Sequence, residues 1–176
     1  EVNIKLQKKE YKKVIAYLDP DEFKSTWVGN KAIFRTRMVV ADGGELIILC
    51  PGINTFGEDP VNDQIIRKYG YQTTEKLLKS IGENIDLANN LTPVSHLIIS
   101  SPEKRFKVIY GVKKISQKDI ESVNCNFADY DEMAKKYNPS TLKEGENILP
   151  DGEEIFYVSN PAQGLWAEIN RFKQND

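Results

Sequence analysis

With 176 residues and 24 Lys and Arg against 26 Asp and Glu, the chain has the size of one domain. It lacks the basic excess that binding to nucleic acid calls for. Its two cysteines stand outside any Cys-x-x-Cys spacing and it has one histidine, which excludes a disulfide scaffold and a self-contained transition-metal centre as organising principles.

No apolar run approaches the roughly 20 residues of a membrane span, and the start, Glu-Val-Asn-Ile-Lys-Leu, has no signal-peptide core. A soluble, cytoplasmic protein with reduced thiols is expected. The chain begins with Glu rather than Met, so a piece of a longer protein is expected too.

The alternating residues 2–6 and the apolar run 14–18 predict two strands. Asp19 and Pro20 then read as the cap and first turn of a helix. Between residues 22 and 42, Trp27, Ile33, Phe34, Met38 and Val39 fall near helical spacing. That predicts one long helix, weakest at Gly29 and capped by Gly43. Residues 45–50, Glu-Leu-Ile-Ile-Leu-Cys, form a short apolar run between turn residues, the pattern of a buried parallel strand. Asp59, Pro60 and Gly70 bound a helix over 60–70. Residues 73–84 and 89–100 add further helical or mixed segments, 106–112 a strand, 116–123 and 130–138 two helices, 154–160 a last strand, and 161–172 a terminal element around Trp166. Strands alternating with helices predict a single α/β domain over 1–176, a three-layer sandwich around a mostly parallel, Rossmann-like sheet.

Open α/β sheets bind ligands beyond the carboxyl ends of their strands, which favours the loop 51–59, Pro-Gly-Ile-Asn-Thr-Phe-Gly-Glu-Asp. Gly52 and Gly57 permit close backbone approach, and Glu58 and Asp59 place carboxylates at the mouth of the crevice. Asp59 can equally cap the helix that starts at Pro60, with Glu58 in solvent, and the two roles can coexist. Trp27, Asn30 and Lys31 fall within one helical turn and could line a pocket, with Lys31 holding a carboxylate or phosphate as a point charge. The alternative is a solvated lysine beside a core tryptophan. Arg35 and Arg37 read as surface ion pairs, His96 as a hydrogen-bonded structural residue, and Gly43-Gly44 as a helix cap and turn. There is no dinucleotide fingerprint, phosphate loop or nucleophile elbow.

Three longer stretches carry a resemblance: "YLDPDEFKSTWVGNKAIFRTRMVVADGGELIILCPG", "FGEDPVNDQIIRKYGY" and "LPDGEEIFYVSNPAQGLWA". They resemble the C-terminal half of an uncharacterised branch of the nickel-dependent lactate racemase family, some members of which carry a name such as D-mannonate epimerase. The resemblance runs over nearly the whole chain. It implies a two-domain protein with the active site in the cleft, this chain being the C-terminal domain and the N-terminal domain of the same protein its partner. The implied cofactor is a nickel pincer nucleotide, a pyridinium bisthiocarboxylate mononucleotide whose two arms hold nickel, and the implied substrate is a small 2-hydroxy acid. In the family the N-terminal domain supplies the cofactor-tethering lysine, a histidine ligand to nickel and a pair of proton-exchanging histidines. The resemblance therefore implies no catalytic residue and no metal ligand in this chain.

Counted back from Gly43-Gly44, Lys31 matches the lysine that the C-terminal domain lends to substrate or cofactor charge. Val28 stands where lactate racemase has a glutamine, and Asn89–Leu91 lacks its pocket-closing tryptophan. These departures imply a larger polyhydroxy acid such as an aldonate, with Asn30, Glu58 and Asp59 meeting its extra hydroxyls. The implied apolar face toward the other domain makes self-association of the isolated chain an expectation. The alternative function is a non-catalytic carbohydrate- or protein-binding module built on Trp27, Trp166 and the acidic loop.

Overall fold

A computed structural model describes residues 3–172. In chain order the elements are β1 (Ile4–Gln7), β2 (Tyr11–Tyr17), α1 (Thr26–Gly29), α2 (Lys31–Thr36), β3 (Val40–Cys50), α3 (Pro60–Tyr69), α4 (Thr74–Glu83), α5 (Ile85–Ala88) and α6 (Leu91–Ile99). There follow β4 (Lys107–Val112), α7 (Gln117–Ser122), β5 (Asn126–Asp129), α8 (Tyr130–Lys136), β6 (Gly145–Ile148), β7 (Glu154–Val158), a 3₁₀ turn (Pro161–Gln163), β8 (Leu165–Glu168) and α9 (Ile169–Phe172).

Six strands form the central sheet in the order β5-β4-β3-β2-β7-β6, parallel throughout except for β6, which pairs antiparallel with β7. β1 and β8 make a separate parallel pair. Because the main sheet is covered on both faces, β3 reads as a continuous apolar run, as a doubly buried parallel strand must. Leu46, Ile48 and Cys50 point into the larger core with Phe23, Ile33 and Phe56, whereas Ile47 and Leu49 point to the other face with Ile15, Tyr137 and Tyr157. Burying each such Leu or Ile fully contributes about 1.5–3 kcal/mol. The result is the α/β sandwich with a mostly parallel sheet that the alternating pattern predicts.

The long helix expected over 22–42 is instead two short helices and the first residues of β3. Its fragmentation begins before residue 25, where Asp19 and Pro20 start only a turn: the Asp19 carbonyl accepts from Glu22 and Phe23 N–H at 3.2 and 2.9 Å. Gly29 presses α1 onto the core, and a Cβ there would lie 2.8 Å from both Ile53 Cδ1 and Leu18 Cδ1. Beyond Thr36 the chain turns, with Val39 N–H bonded to Thr36 O, and Val40 pairs with Tyr11 of β2. Met38 and Val39 satisfy a helical period and an apolar strand entry equally well, which is why spacing misassigned them.

Gly43 is accordingly not a helix cap. It sits within β3 at φ +75°, where the β2–β3 register shifts between Tyr11 and Lys13, and its N–H bonds to Arg105 O at 2.6 Å. Two short strands, β5 and β6, carry too few residues to be read from alternation. Of the first predicted strand, Val2 lies outside the described residues. Arg37 makes no ion pair among the described residues: it donates to Ile99 O at 2.5 Å and Ser101 O at 2.9 Å, satisfying carbonyls at the end of α6.

Candidate functional site

The loops that leave β2 and β3 at their carboxyl ends are sewn together by the backbone. Thr26 N–H bonds to Thr55 O at 3.1 Å, Trp27 N–H to Phe56 O at 2.8 Å, and Asn54 N–H to Lys24 O at 2.9 Å. Gly52 makes this contact possible, and Gly57 lets the same loop close onto the first turn of α3. A Cβ would stand 2.6 Å from Pro20 Cα at the first and 2.3 Å from Asp63 N at the second. The close approach that these glycines allow is thus to the chain's own backbone.

Asp63, the first-turn acid of α3, ties the loop down. Its Oδ1 accepts from Thr55 Oγ1 at 2.7 Å, Phe56 N at 2.9 Å and Gly57 N at 3.0 Å, and its Oδ2 accepts from Arg67 Nε at 2.5 Å. Partial burial works against the charge, but Arg67 and the three loop donors outweigh it and hold the carboxyl at about 2. Asp59 caps α3, accepting from Val61 and Asn62 N–H at 2.9 Å each. Glu58 accepts a hydrogen bond from Ser25, the residue whose hydroxyl also caps α1.

On the neighbouring surface, Trp27, Lys31 and Phe34 from α1 and α2 face Thr92, Ser95 and His96 from α6 across an open cavity of about 400 Å³. Trp27 stacks on His96 with ring centroids 4.3 Å apart and planes 21° from parallel. Beneath the stack runs a buried polar chain. Thr26 Oγ1 donates to Phe56 O at 2.9 Å and lies 2.9 Å from Tyr71 Oη, which lies 3.1 Å from His96 Nε2. With the Thr26 proton committed to Phe56, Tyr71 donates to Thr26 and His96 donates to Tyr71. His96 therefore carries its proton on Nε2 and keeps Nδ1 as an acceptor. Burial lowers the imidazole pKa to about 4, so the ring is neutral at ordinary pH.

Of the residues singled out in the sequence, Trp27 and Lys31 meet at this cavity. Glu58 and Asp59 lie on the adjoining loop and do not line it. Asn30 turns inward, fully buried, accepting from Tyr110 Oη at 2.6 Å, while its Nδ2 has no partner among the described residues. Lys31 is half-buried, its Nζ 6.0 Å from the Phe23 ring centroid, and it makes no ion pair with an acid among the described residues. Thr92, Ser95 and His96 complete the cavity from a distant part of the chain. No spacing near Lys31 could have announced them, and the apolar neighbours of His96 pointed only to its structural role, which the Tyr71 bond shows it also has.

No protein-family model and no curated protein matches this chain. Solved structures do. The crystal structure of a Thermotoga maritima protein aligns with a TM-score of 0.68 at 20% identity, covering 93% of this chain and 38% of the other. The lactate racemase apoprotein of Thermoanaerobacterium thermosaccharolyticum aligns with a TM-score of 0.61 at 14% identity, covering 91% of this chain and 36% of the other. The chain has a lactate-racemase-like fold. It spans well under half the length of either neighbour.

Proposed function

We propose that this chain is the C-terminal domain of a two-domain racemase or epimerase that inverts the α-carbon of a 2-hydroxy acid in the cytoplasm. The observation that carries the reading is Lys31, a lysine without an acidic partner among the described residues, at the rim of the cavity lined by the Trp27–His96 stack, on a lactate-racemase-like fold. An unpaired cation beside an aromatic plate suits a small molecule with one carboxylate and a hydrocarbon or polyol body.

In this reading Lys31 holds the substrate carboxylate, or an anionic group of the cofactor, as a point charge. Trp27 and Phe34 give the cavity an apolar wall for the body of the substrate. His96, neutral and fixed by Tyr71, offers Nδ1 to a substrate hydroxyl, and Thr92 and Ser95 add hydroxyls that suit a polyhydroxy acid such as an aldonate. Among the described residues no cluster of three His, Cys, Asp or Glu converges to hold a metal ion. In this reading the donors here meet an anion, and nickel and the cofactor tether are the part of the N-terminal domain. When bound, the nickel pincer nucleotide supplies the acceptor for the α-carbon hydride.

The test uses the full-length protein purified with its cofactor, with nickel and pincer nucleotide assayed by elemental analysis and mass spectrometry. Chiral chromatography then follows inversion of 2-hydroxy acids from lactate to the aldonates. Inversion of at least one acid is expected. Cofactor-loaded, folded protein that inverts none of them would overturn the reading.

A further inference from the structure

A second cavity, of about 310 Å³, lies on the far side of Tyr71, at the amino-terminal end of β4 and β5. Its volume is at the low end of the roughly 300–1,000 Å³ found for ligand pockets. The rings of Tyr71 and Tyr110 line it, with Ile33, Phe106 and Val108, while both tyrosine hydroxyls are committed elsewhere, to Thr26 and His96 and to Asn30. The walls are therefore mostly hydrocarbon.

One polar atom in the wall is unaccounted for. Ser100 is 1% exposed and lines the cavity, and its Oγ has no hydrogen-bond partner among the described residues. A buried hydroxyl left without a partner is costly, and a χ1 rotation of Ser100 toward the cavity would let a ligand oxygen satisfy it. The mouth is cationic. Lys104 and Lys107 line it, and neither pairs with an acid among the described residues. The nearby carboxylate of Glu103 is drawn off to α4, where Thr74 N and Oγ1 donate to it at 3.0 and 2.5 Å. Glu103 and Lys104 hold left-handed backbone, at φ 51° and 60°, so the mouth has a fixed and mildly strained shape.

We propose that this cavity is a second binding site, for a small apolar monocarboxylate, with the body against Tyr71, Phe106 and Tyr110 and the carboxylate accepting from Ser100 and the lysine ammonium groups. The site stands apart from the hydroxy-acid reading. Lys31 meets a polyol at an open surface, whereas this cavity selects hydrocarbon and a single charge.

Cinnamate serves as the probe and cinnamyl alcohol as its neutral counterpart, each titrated into the full chain and followed by amide chemical shifts in NMR. Saturable shifts are expected at Ser100, Ser101 and Asn126, with the alcohol about tenfold weaker for want of the charge-assisted bonds. Ser100→Ala should weaken cinnamate by a similar factor. Val108→Trp should abolish binding by filling the cavity. If that variant fails to fold, the exposed pair Lys104→Ala and Lys107→Ala, which leaves the core untouched, should weaken cinnamate but not the alcohol. Absence of saturable binding to the unmodified chain overturns the proposal. Equal affinity for acid and alcohol, or binding that persists in folded Val108→Trp, overturns it as well.

Discussion

His96 shows how one residue can be structural and still face a site. Its imidazole is neutral because burial takes the charged form out of water, and its orientation is set by Tyr71. The folded-state pKa, about 4, lies below the ordinary value of 6.5. Above pH 6.5 neither state binds the proton and stability is unaffected. Between 6.5 and 4 the unfolded chain binds it first, so stability falls with pH, by roughly 3 kcal/mol over the full window. Denaturant unfolding from pH 7.5 to 4 is therefore expected to lose that much, and His96→Asn is expected to flatten the slope. A slope unchanged in His96→Asn would show that the proton is taken up elsewhere. The same position explains why local reading gave it only a structural role: a lone histidine among apolar neighbours carries no sign of the tryptophan it stacks on, because Trp27 comes from another element.

At the scale of elements, the loop between β3 and α3 owes its shape to Asp63 more than to its own acids. With its pKa lowered to about 2 from an ordinary 3.8, Asp63 contributes of order 2 kcal/mol that is fully present above pH 4 and lost as pH falls through 2. Asp63→Asn should cost about that much at neutral pH, and the gap from the parent chain should close in strong acid. A pH-independent gap would mean that packing, not charge, is responsible. Gly57→Ala tests the same loop from the backbone side. Its Cβ would meet Asp63 N at 2.3 Å, so a loss of about 1–3 kcal/mol in denaturant unfolding is expected. A neutral outcome would show that the loop is free to move.

Elements bounded by strong punctuation were legible in the sequence. The buried strand ends at Cys50 as its spacing predicts, although it begins at Val40 and takes in the glycine pair read as a turn, and α3 comes out between Asp59-Pro60 and Gly70. The stretch 22–42 was not, because its apolar residues serve two short helices and a strand entry at once, and only the pairing of Val40 with Tyr11 decides between them. Trp27 and Lys31 could be read as neighbours from helical spacing. The facing wall from α6 could not, since tertiary packing alone brings Thr92, Ser95 and His96 across from them.

For the whole molecule, three large apolar side chains of consecutive helices stand in solvent. Leu78, Ile85 and Leu91 of α4–α6 are 55%, 75% and 63% exposed, and Leu91 adjoins Thr92 at the cavity wall. Such residues are expected where a second domain packs. Sedimentation of this chain by itself should show concentration-dependent self-association, weakened by Ile85→Ser with Leu91→Ser. A chain that stays monomeric at high concentration would count against a covered face.

The most direct test of the account is the steady-state kinetics of Lys31→Ala in the full-length, cofactor-loaded enzyme with its best 2-hydroxy acid. Loss of one charge-assisted contact to the carboxylate predicts kcat/KM lower by about 10- to 100-fold, with nickel and nucleotide content unchanged. Unaltered kcat/KM in a folded, fully loaded variant would contradict the assignment of Lys31 and of the cavity it borders.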